Sequence, residues 1–288
     1  MKLGFVRKNL RRILVTLGAV MLVLVLYKLW RKVKDSPQVP KEKEVIEYTK
    51  HNDQSEFSPI EEKALALGDI FSGEDGGAYE GDLENRIRAR SEEELQAAVD
   101  EAEPGARILI EPGEYRVNLK IERDLIMIGQ GERTVLKSKE QSEEPVILAL
   151  RSGLALKNLV LADSGLGLVG QDAKFEIERI EFDGLNRGAF FAGGGEFRIE
   201  DCLFRDSGYG IKTKGARGLI KNCLIKGNKK SGVFLQESKV DVIRNSIRDN
   251  GSYGLFVGRG CSGTIEGNFI TDNKGHNVRK EETREIYK

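Results

Sequence analysis

Residues 210–257 read GIKTKGARGLIKNCLIKGNKKS, then GVFLQESKVDVIRNSIRDNGSY, then GLFV, so a glycine followed by an apolar residue returns every 22 positions. The same opening recurs upstream at Gly167-Leu168 and Gly188-Ala189, and the five glycines are spaced by 21, 22, 22 and 22 residues. A second series, Ile177, Ile199, Ile220, Ile243 and Ile265, keeps the period with steps of 22, 21, 23 and 22. A third, Asn158, Asp201, Asn222, Asn245 and Asn268, marks turn residues, and Arg179 interrupts it. This period is too short for two packed helices. Three strands of a few residues and three turns fill it. Stacked turns of that kind place each residue over its equivalent at about 4.8 Å, with each strand hydrogen-bonded to the next coil.

Proline and glycine agree. All six prolines lie at or before Pro145, and the last 143 residues have none, as an unbroken ladder of backbone donors requires. Of the 33 glycines, 22 fall between Gly153 and Gly275, where tight turns need them. A leucine-rich repeat would need its own Leu/Asn spacing and a longer convex segment, and neither is present. Before the repeat, Ser91-Glu92-Glu93-Glu94 forms a capping box, and Leu95, Ala98, Val99 and Ala102 make one apolar helical face. Pro104-Gly105 ends that helix, and Arg107–Tyr115 reads as a short strand broken by a turn.

The helix Leu95–Ala102, Pro104-Gly105, Ile108-Leu109-Ile110, Pro112-Gly113-Glu114-Tyr115 and Ile126–Gly131 together resemble the opening of the pectate-lyase-like superfamily. The stretches Asn222-Cys223-Leu224-Ile225 and Gly232-Val233-Phe234-Leu235 resemble its generic coils. The resemblance covers roughly residues 90–278. It implies an all-β chain built as a right-handed parallel β-helix, a solenoid of about seven or eight 22-residue coils. The helix from Ser91 to Glu103 would cap its N-terminal end. It implies no single activity, because the superfamily holds lyases, hydrolases, epimerases, adhesins and non-catalytic binders.

Upstream, Ile13–Tyr27 carries no charge and Leu29-Trp30 extends the run past Lys28. At about 1.5 Å per residue, residues 13–30 reach roughly 27 Å, enough for a thin bilayer core. No small-residue cleavage site follows, so the expectation is an uncleaved single-span anchor within residues 1–34. Five basic residues before the span and four after it, plus the amino terminus, favour the N-in orientation. That orientation places the solenoid on the extracytoplasmic side. Residues 35–90 read as an acidic linker, with a short helical turn signalled by Ser58, Pro59, Glu61 and Gly68. Residues 91–278 are the solenoid and 279–288 a tail. The net charge of zero is a cancellation: +9 over 1–34, −17 over 35–204 and +8 over 205–288.

Two histidines and three scattered methionines leave no cluster for a transition metal, and neither a metal nor a cofactor is expected. Cys202 and Cys223 fall one coil apart, where two small buried hydrophobes or a disulfide would both fit, and Cys261 has no evident partner. Strand alternation places Val169, Phe190, Lys212, Phe234 and Phe256 in one outward stripe. Of these, Phe190, Lys212, Phe234 and Phe256 are the candidate ligand-binding residues. The stripe serves either as a platform for a polysaccharide or as a surface covered by residues 57–70 or by the tail. For catalysis the best acid pair is Glu178 and Glu200, followed in the same series by Lys221, Arg244 and Glu266. That alternation of sign reads as a salt-bridged exposed face. Asp163, Asp206, Asn250 and Asn273 fall at turns and read as structural, through Asx bonding to nearby backbone. The expected function is a membrane-anchored binding or scaffold protein at the cell envelope, engaging carbohydrate, with no nucleic-acid partner. A polysaccharide lyase or glycosidase is the enzymatic alternative, and a self-assembling adhesin the structural one.

Overall fold

The structure, a computed structural model, describes residues 86–281 apart from 131, 132 and 141. The anchor read at 13–30, the linker up to residue 85 and the tail beyond residue 281 lie outside the described residues. Among the described residues no helix is long and apolar enough to cross a membrane.

Alternating apolar residues give strands such as Ala106–Ile110 and Leu125–Gly129 one buried edge each, and neighbouring strands pair in parallel. Among the described residues nine strands stack along a first face, from Arg86–Ala89 through Arg217–Lys221 to Ile265–Glu266. A bend then carries each coil onto a second face, which includes Leu203–Arg205, Leu224–Lys226, Ser246–Arg248 and Phe269–Thr271. These two faces belong to one fifteen-stranded sheet. A separate sheet of eight forms the third face, from Leu119–Ile121 to Val278–Lys280. The stack is longer than the sequence period implies, for two reasons. Arg86–Ala89, inside the stretch read as linker, pairs with Ala106–Ile110, and Val278–Lys280, reaching into the stretch read as tail, pairs with Leu255–Val257.

The helix, α1, runs over Glu92–Glu101. Ser91 is its N-cap, accepting the Glu94 N–H at 3.2 Å, while the Glu94 carboxylate accepts the Arg90 N–H at 2.9 Å. Leu95, Ala98 and Val99 are buried and join the same core as the first coils.

The bend between the first and second faces is a single left-handed residue. Asn158, Arg179, Asp201, Asn222 and Arg244 all sit between φ 53° and 54°, with Gly267 at 62° in the next coil. Asn and Asp tolerate this conformation because their side chains bond locally. Arg179 therefore continues the series it was read as breaking, and Arg244 occupies the same bend. Asn245 and Asn268 belong one position later, pointing inward above Cys223 and Cys202. The Asn245 amide oxygen accepts the Cys223 N–H at 2.9 Å, and that of Asn268 accepts the Asn245 N–H at 2.9 Å. Cys202 and Cys223 are free, buried thiols, and burial pushes the Cys202 thiol well up, so the pair packs as small hydrophobes.

A second ladder of asparagines closes the corner between the second and third faces. Asn228 donates its side-chain amide to Asn250 at 2.9 Å, and Asn250 donates to Asn273 at 2.9 Å. Their amide oxygens also accept backbone N–H groups, as in the Asn228 N–H to Asn250 bond at 3.1 Å. Asn250 and Asn273 are thus structural, and the left-handed Asp163 and Asp206 serve as turn residues. Inside, Phe182 and Phe204 stack with centroids 4.5 Å apart.

Candidate ligand-binding face

On the third face, residues that alternate with the core residues form an outward row in strict register: Val169, Phe191, Lys212, Phe234, Phe256 and Arg279. Three of the four sequence candidates, Lys212, Phe234 and Phe256, belong to it. Phe190 does not. It pairs in register with Leu168 and Ile211, is fully buried, and packs edge-on between Phe175 and Phe197 at 5.4 and 5.6 Å. Phe191 takes its place outside. The slip arises because the coil glycine is replaced here by Ala189. Gly188 serves a different purpose: a Cβ there would stand 2.4 Å from the Phe191 ring that lies over it.

Residues on the turn before each strand complete the row. Tyr209 lies edge-on between Phe191 (6.3 Å) and Phe234 (5.7 Å), and Phe234 stacks flat on Phe256 at 4.4 Å and 7°. Tyr253 continues the string from Phe256 to His276. Six rings are joined, and from Phe191 to Phe256 the row spans three coils, about 14 Å. Tyr209, Tyr253 and His276 escape strand alternation because they sit on turns. Tyr209 and Tyr253 immediately precede coil glycines, a position to which alternation assigns no side.

The geometry corrects the idea of a flat stacking platform. Phe234 and Phe256 use their faces on each other, so a ligand meets ring edges, which carry the positive end of the aromatic quadrupole. The ammonium of Lys212 sits 5.0 Å from the Tyr209 centroid and 5.4 Å from that of Phe234, and Lys230 approaches Tyr209 from 4.9 Å. Burial, with Lys230 and Lys214 close by, pulls the Lys212 pKa down to about 8. Burial also raises the Tyr209 hydroxyl. The neighbouring outward row holds Leu150, Gln171, Gly193, Lys214 and Gln236. Neither row contains a carboxylate. The Gln236 side-chain oxygen is buried without a hydrogen-bond partner. The cations of these two rows, Lys212, Lys214 and Arg279, fall on the later coils.

The acid candidates lie on the first face, away from this row. Glu178 and Glu200 are register neighbours, flanked by Lys157 and Lys221. The next position is Ile243, not Arg244, because Val242 is the partner of both Ile220 and Ile265 and the 23-residue step hides a one-residue slip. Glu178 pairs with Lys157 at 2.9 Å and Arg179 at 3.2 Å. Burial opposes ionisation of Glu178, but the Lys157 hydrogen bond and the Arg179 and Lys157 charges outweigh it and hold its carboxyl below the usual range. Glu200 pairs with Arg198 at 3.0 Å and Lys221 at 3.3 Å. Neither carboxyl is positioned as a proton donor. Glu178→Gln and Glu200→Gln are each expected to lower stability by no more than about 1 kcal/mol, the scale of exposed ion pairs. They should leave ligand affinity within about twofold, as checked by urea melts and titration.

Residues 164–284 match the family model described as a right handed beta helix region. The parallel coils over residues 164–281 are similar to such a region. A comparison with curated protein sequences finds no significant match. Among solved structures, an alginate lyase from Paenibacillus sp. is similar at 11% identity and a TM-score of 0.47, covering 67% of this chain and 99% of that one. Escherichia coli YbhC matches at 10% identity and a TM-score of 0.40, covering 85% and 98% of the two chains. The A-module of the Azotobacter vinelandii mannuronan C-5 epimerase AlgE6 matches at 17% identity and a TM-score of 0.27, covering 66% and 74%. At these identities the likeness concerns the fold.

Proposed function

We propose that the β-helix is a non-catalytic binding module for an acidic polysaccharide, held at the cell envelope by the apolar segment at 13–30, with the solenoid on the extracytoplasmic side. One observation carries the reading: Lys212 is buried between aromatic rings, on a face whose two outward rows hold lysines, an arginine and no carboxylate. Keeping a cation partly desolvated opposes stability and is retained where it meets an anion. The repeat of about 4.8 Å between coils is comparable to the rise of one sugar ring in an extended polymer.

Titration calorimetry with a uronic-acid polymer tests this. Affinity is expected to fall as salt rises from about 50 to 500 mM, because exposed charges are increasingly screened. It should fall again as pH climbs through about 8, where Lys212 loses its proton. A neutral glucan that binds equally well, or a uronic-acid polymer that does not bind at low salt, overturns the proposal.

The Lys212 pKa of about 8 also favours a second reading, a lyase in which the neutral amine takes the proton next to a uronate carboxylate, the C–H electron pair forms the ring double bond, and the glycosidic C–O bond beside it breaks, its oxygen leaving with a proton from water. Such a reaction yields an unsaturated sugar end, seen as ultraviolet absorbance during incubation near pH 9. Binding without any such product leaves the module non-catalytic.

A further inference from the structure

The two ends of the solenoid differ. At the first coils the inward residues Ala89, Ala106, Ile108 and Leu119 are no more than 1% exposed, because α1 lies across them and adds Leu95, Ala98 and Val99 to the core. At the last coil the same inward positions are open. Ile265 is 39% exposed where its register partner Val242 is 0%, and Ile270 and Val278 are only half-buried beside Ile247 and Leu255, which are fully buried. Among the described residues, the strands Ile265–Glu266, Phe269–Thr271 and Val278–Lys280 each pair on one side only, so three edges of backbone donors and acceptors face out of this end. One polar ladder is finished there and one is not. Asn277 accepts from the Asn273 backbone N–H at 3.3 Å and from its side-chain amide at 3.2 Å, which closes the corner ladder. The stack that runs from Cys223 through Asn245 stops at Asn268, with no closing side chain among the described residues.

We propose that this end docks on the same end of a second copy, about a two-fold axis perpendicular to the solenoid. The opposite end does not fit as the partner, because α1 stands over it with Glu93, Asp100 and Glu101 exposed and holds a second set of coil edges away. Two copies of the open end have matching outlines, and a two-fold axis runs their strands antiparallel, so that each edge meets an edge. Such an axis passes through the middle of one face, pairs that face's last strand with its own copy, and exchanges the other two. Charge selects the face. Pairing Val278–Lys280 with itself brings Arg279 and Lys280 against their copies, with only Glu281 beyond them to offset the repulsion, and pairing Ile265–Glu266 with itself sets the two Glu266 side chains together. Like charges across paired strands are destabilising. Pairing Phe269–Thr271 with itself involves no charge, and it lays Ile265–Glu266 against the partner's Val278–Lys280. Glu266 and Arg279 both point outward, in register with Ile243 and Phe256. They meet twice, the Glu266 of each copy beside the Arg279 of the other, while Ile265, Ile270 and Val278 leave solvent.

Sedimentation equilibrium of the full chain in density-matched detergent micelles tests the pairing. The protein mass is expected to rise from one chain to two and to stop there, at concentrations up to about 100 µM, because the end of one coil is a small interface. Glu266→Arg and Arg279→Glu should each weaken association by at least about tenfold, since each sets two like-charge pairs in the contact. Mixed in equal amounts, the two variants should recover the two-chain mass, because opposite charges then face each other at both contacts. That recovery also shows that neither variant is unfolded. A single chain at every concentration overturns the proposal and means that the end is covered within the chain. So does a mass that grows past two chains, a two-chain mass unaltered in both variants, which places the contact elsewhere, or a mixture that stays as single chains.

Discussion

Replacing Lys212 with methionine is expected to stabilise the β-helix while removing most of its affinity for an acidic polymer. Methionine keeps the unbranched stem that lies between Tyr209 and Phe234 and removes only the charge. The folded-state pKa of about 8 lies below the ordinary 10.5. Between these values the unfolded chain binds more protons, so stability rises with pH there, and below about 8 the full penalty of burying the cation is in place. A shift of this size corresponds to about 3 kcal/mol, and the two aromatic contacts offset about 0.5–2 kcal/mol of it. Lys212→Met should therefore raise stability by about 1–3 kcal/mol at pH 7, as a higher urea midpoint with an unchanged slope. The advantage should fade as pH approaches the ordinary lysine value. Over the same substitution the Kd for a uronic-acid polymer is expected to rise about 10- to 100-fold, the scale of a charge-assisted hydrogen bond. Its dependence on pH near 8 should flatten. A variant that is less stable, or that binds as well as the unaltered chain, contradicts the role given to this side chain.

The second large effect is expected inside the corner ladder. Asn250→Asp changes one nitrogen for one oxygen and leaves the shape alone. The Asn250 side-chain nitrogen donates to the Asn273 amide oxygen at 2.9 Å, the Arg248 carbonyl at 3.0 Å and the Ile225 carbonyl at 3.2 Å. A carboxylate there donates to none of them and faces three oxygens in a site with no solvent access. The expected loss is about 3–5 kcal/mol at neutral pH, the scale of leaving a buried charge uncompensated. Part of it should return in acid, where a protonated carboxyl regains one donor. Denaturation as a function of pH reads both. A loss below about 1 kcal/mol would mean that the ladder does not hold the corner.

How much of this was legible depended on which force placed each residue. The coil period was legible because close approach of neighbouring coils demands glycine: a Cβ on Gly232 would stand 2.8 Å from both Asn250 and Ile247 side chains. The aromatic row was misread by one residue in a single coil because Gly188 is demanded by the Phe191 ring, and a sequence shows the glycine without the reason. Likewise the asparagines blurred two neighbouring positions. At the bend, Asn or Asp is favoured for its left-handed backbone and arginine is tolerated; one residue on, asparagine is used for a stack of side-chain amides. Tyr209, Lys230 and Tyr253 were not legible as partners of the row, since alternation assigns sides only to residues inside strands. The alternation of sign around Glu178 and Glu200 was legible as a salt-bridged row, and the ion pairs with Lys157, Arg179, Arg198 and Lys221 are what it reflects.

The stacking of equivalent residues has a consequence for how such a chain changes length. Residues 210–231 and 232–253 each begin at a corner glycine, turn onto the second face at a left-handed residue, Asn222 or Arg244, and contribute one asparagine, Asn228 or Asn250, to the corner ladder and one residue, Lys212 or Phe234, to the outward row. Duplicating or deleting one such unit preserves every register on either side of the join. The outward row is therefore a ruler graduated in coils: its length changes by whole marks of about 4.8 Å, and the number of positions it would offer the proposed polymer is set by how many units the gene carries.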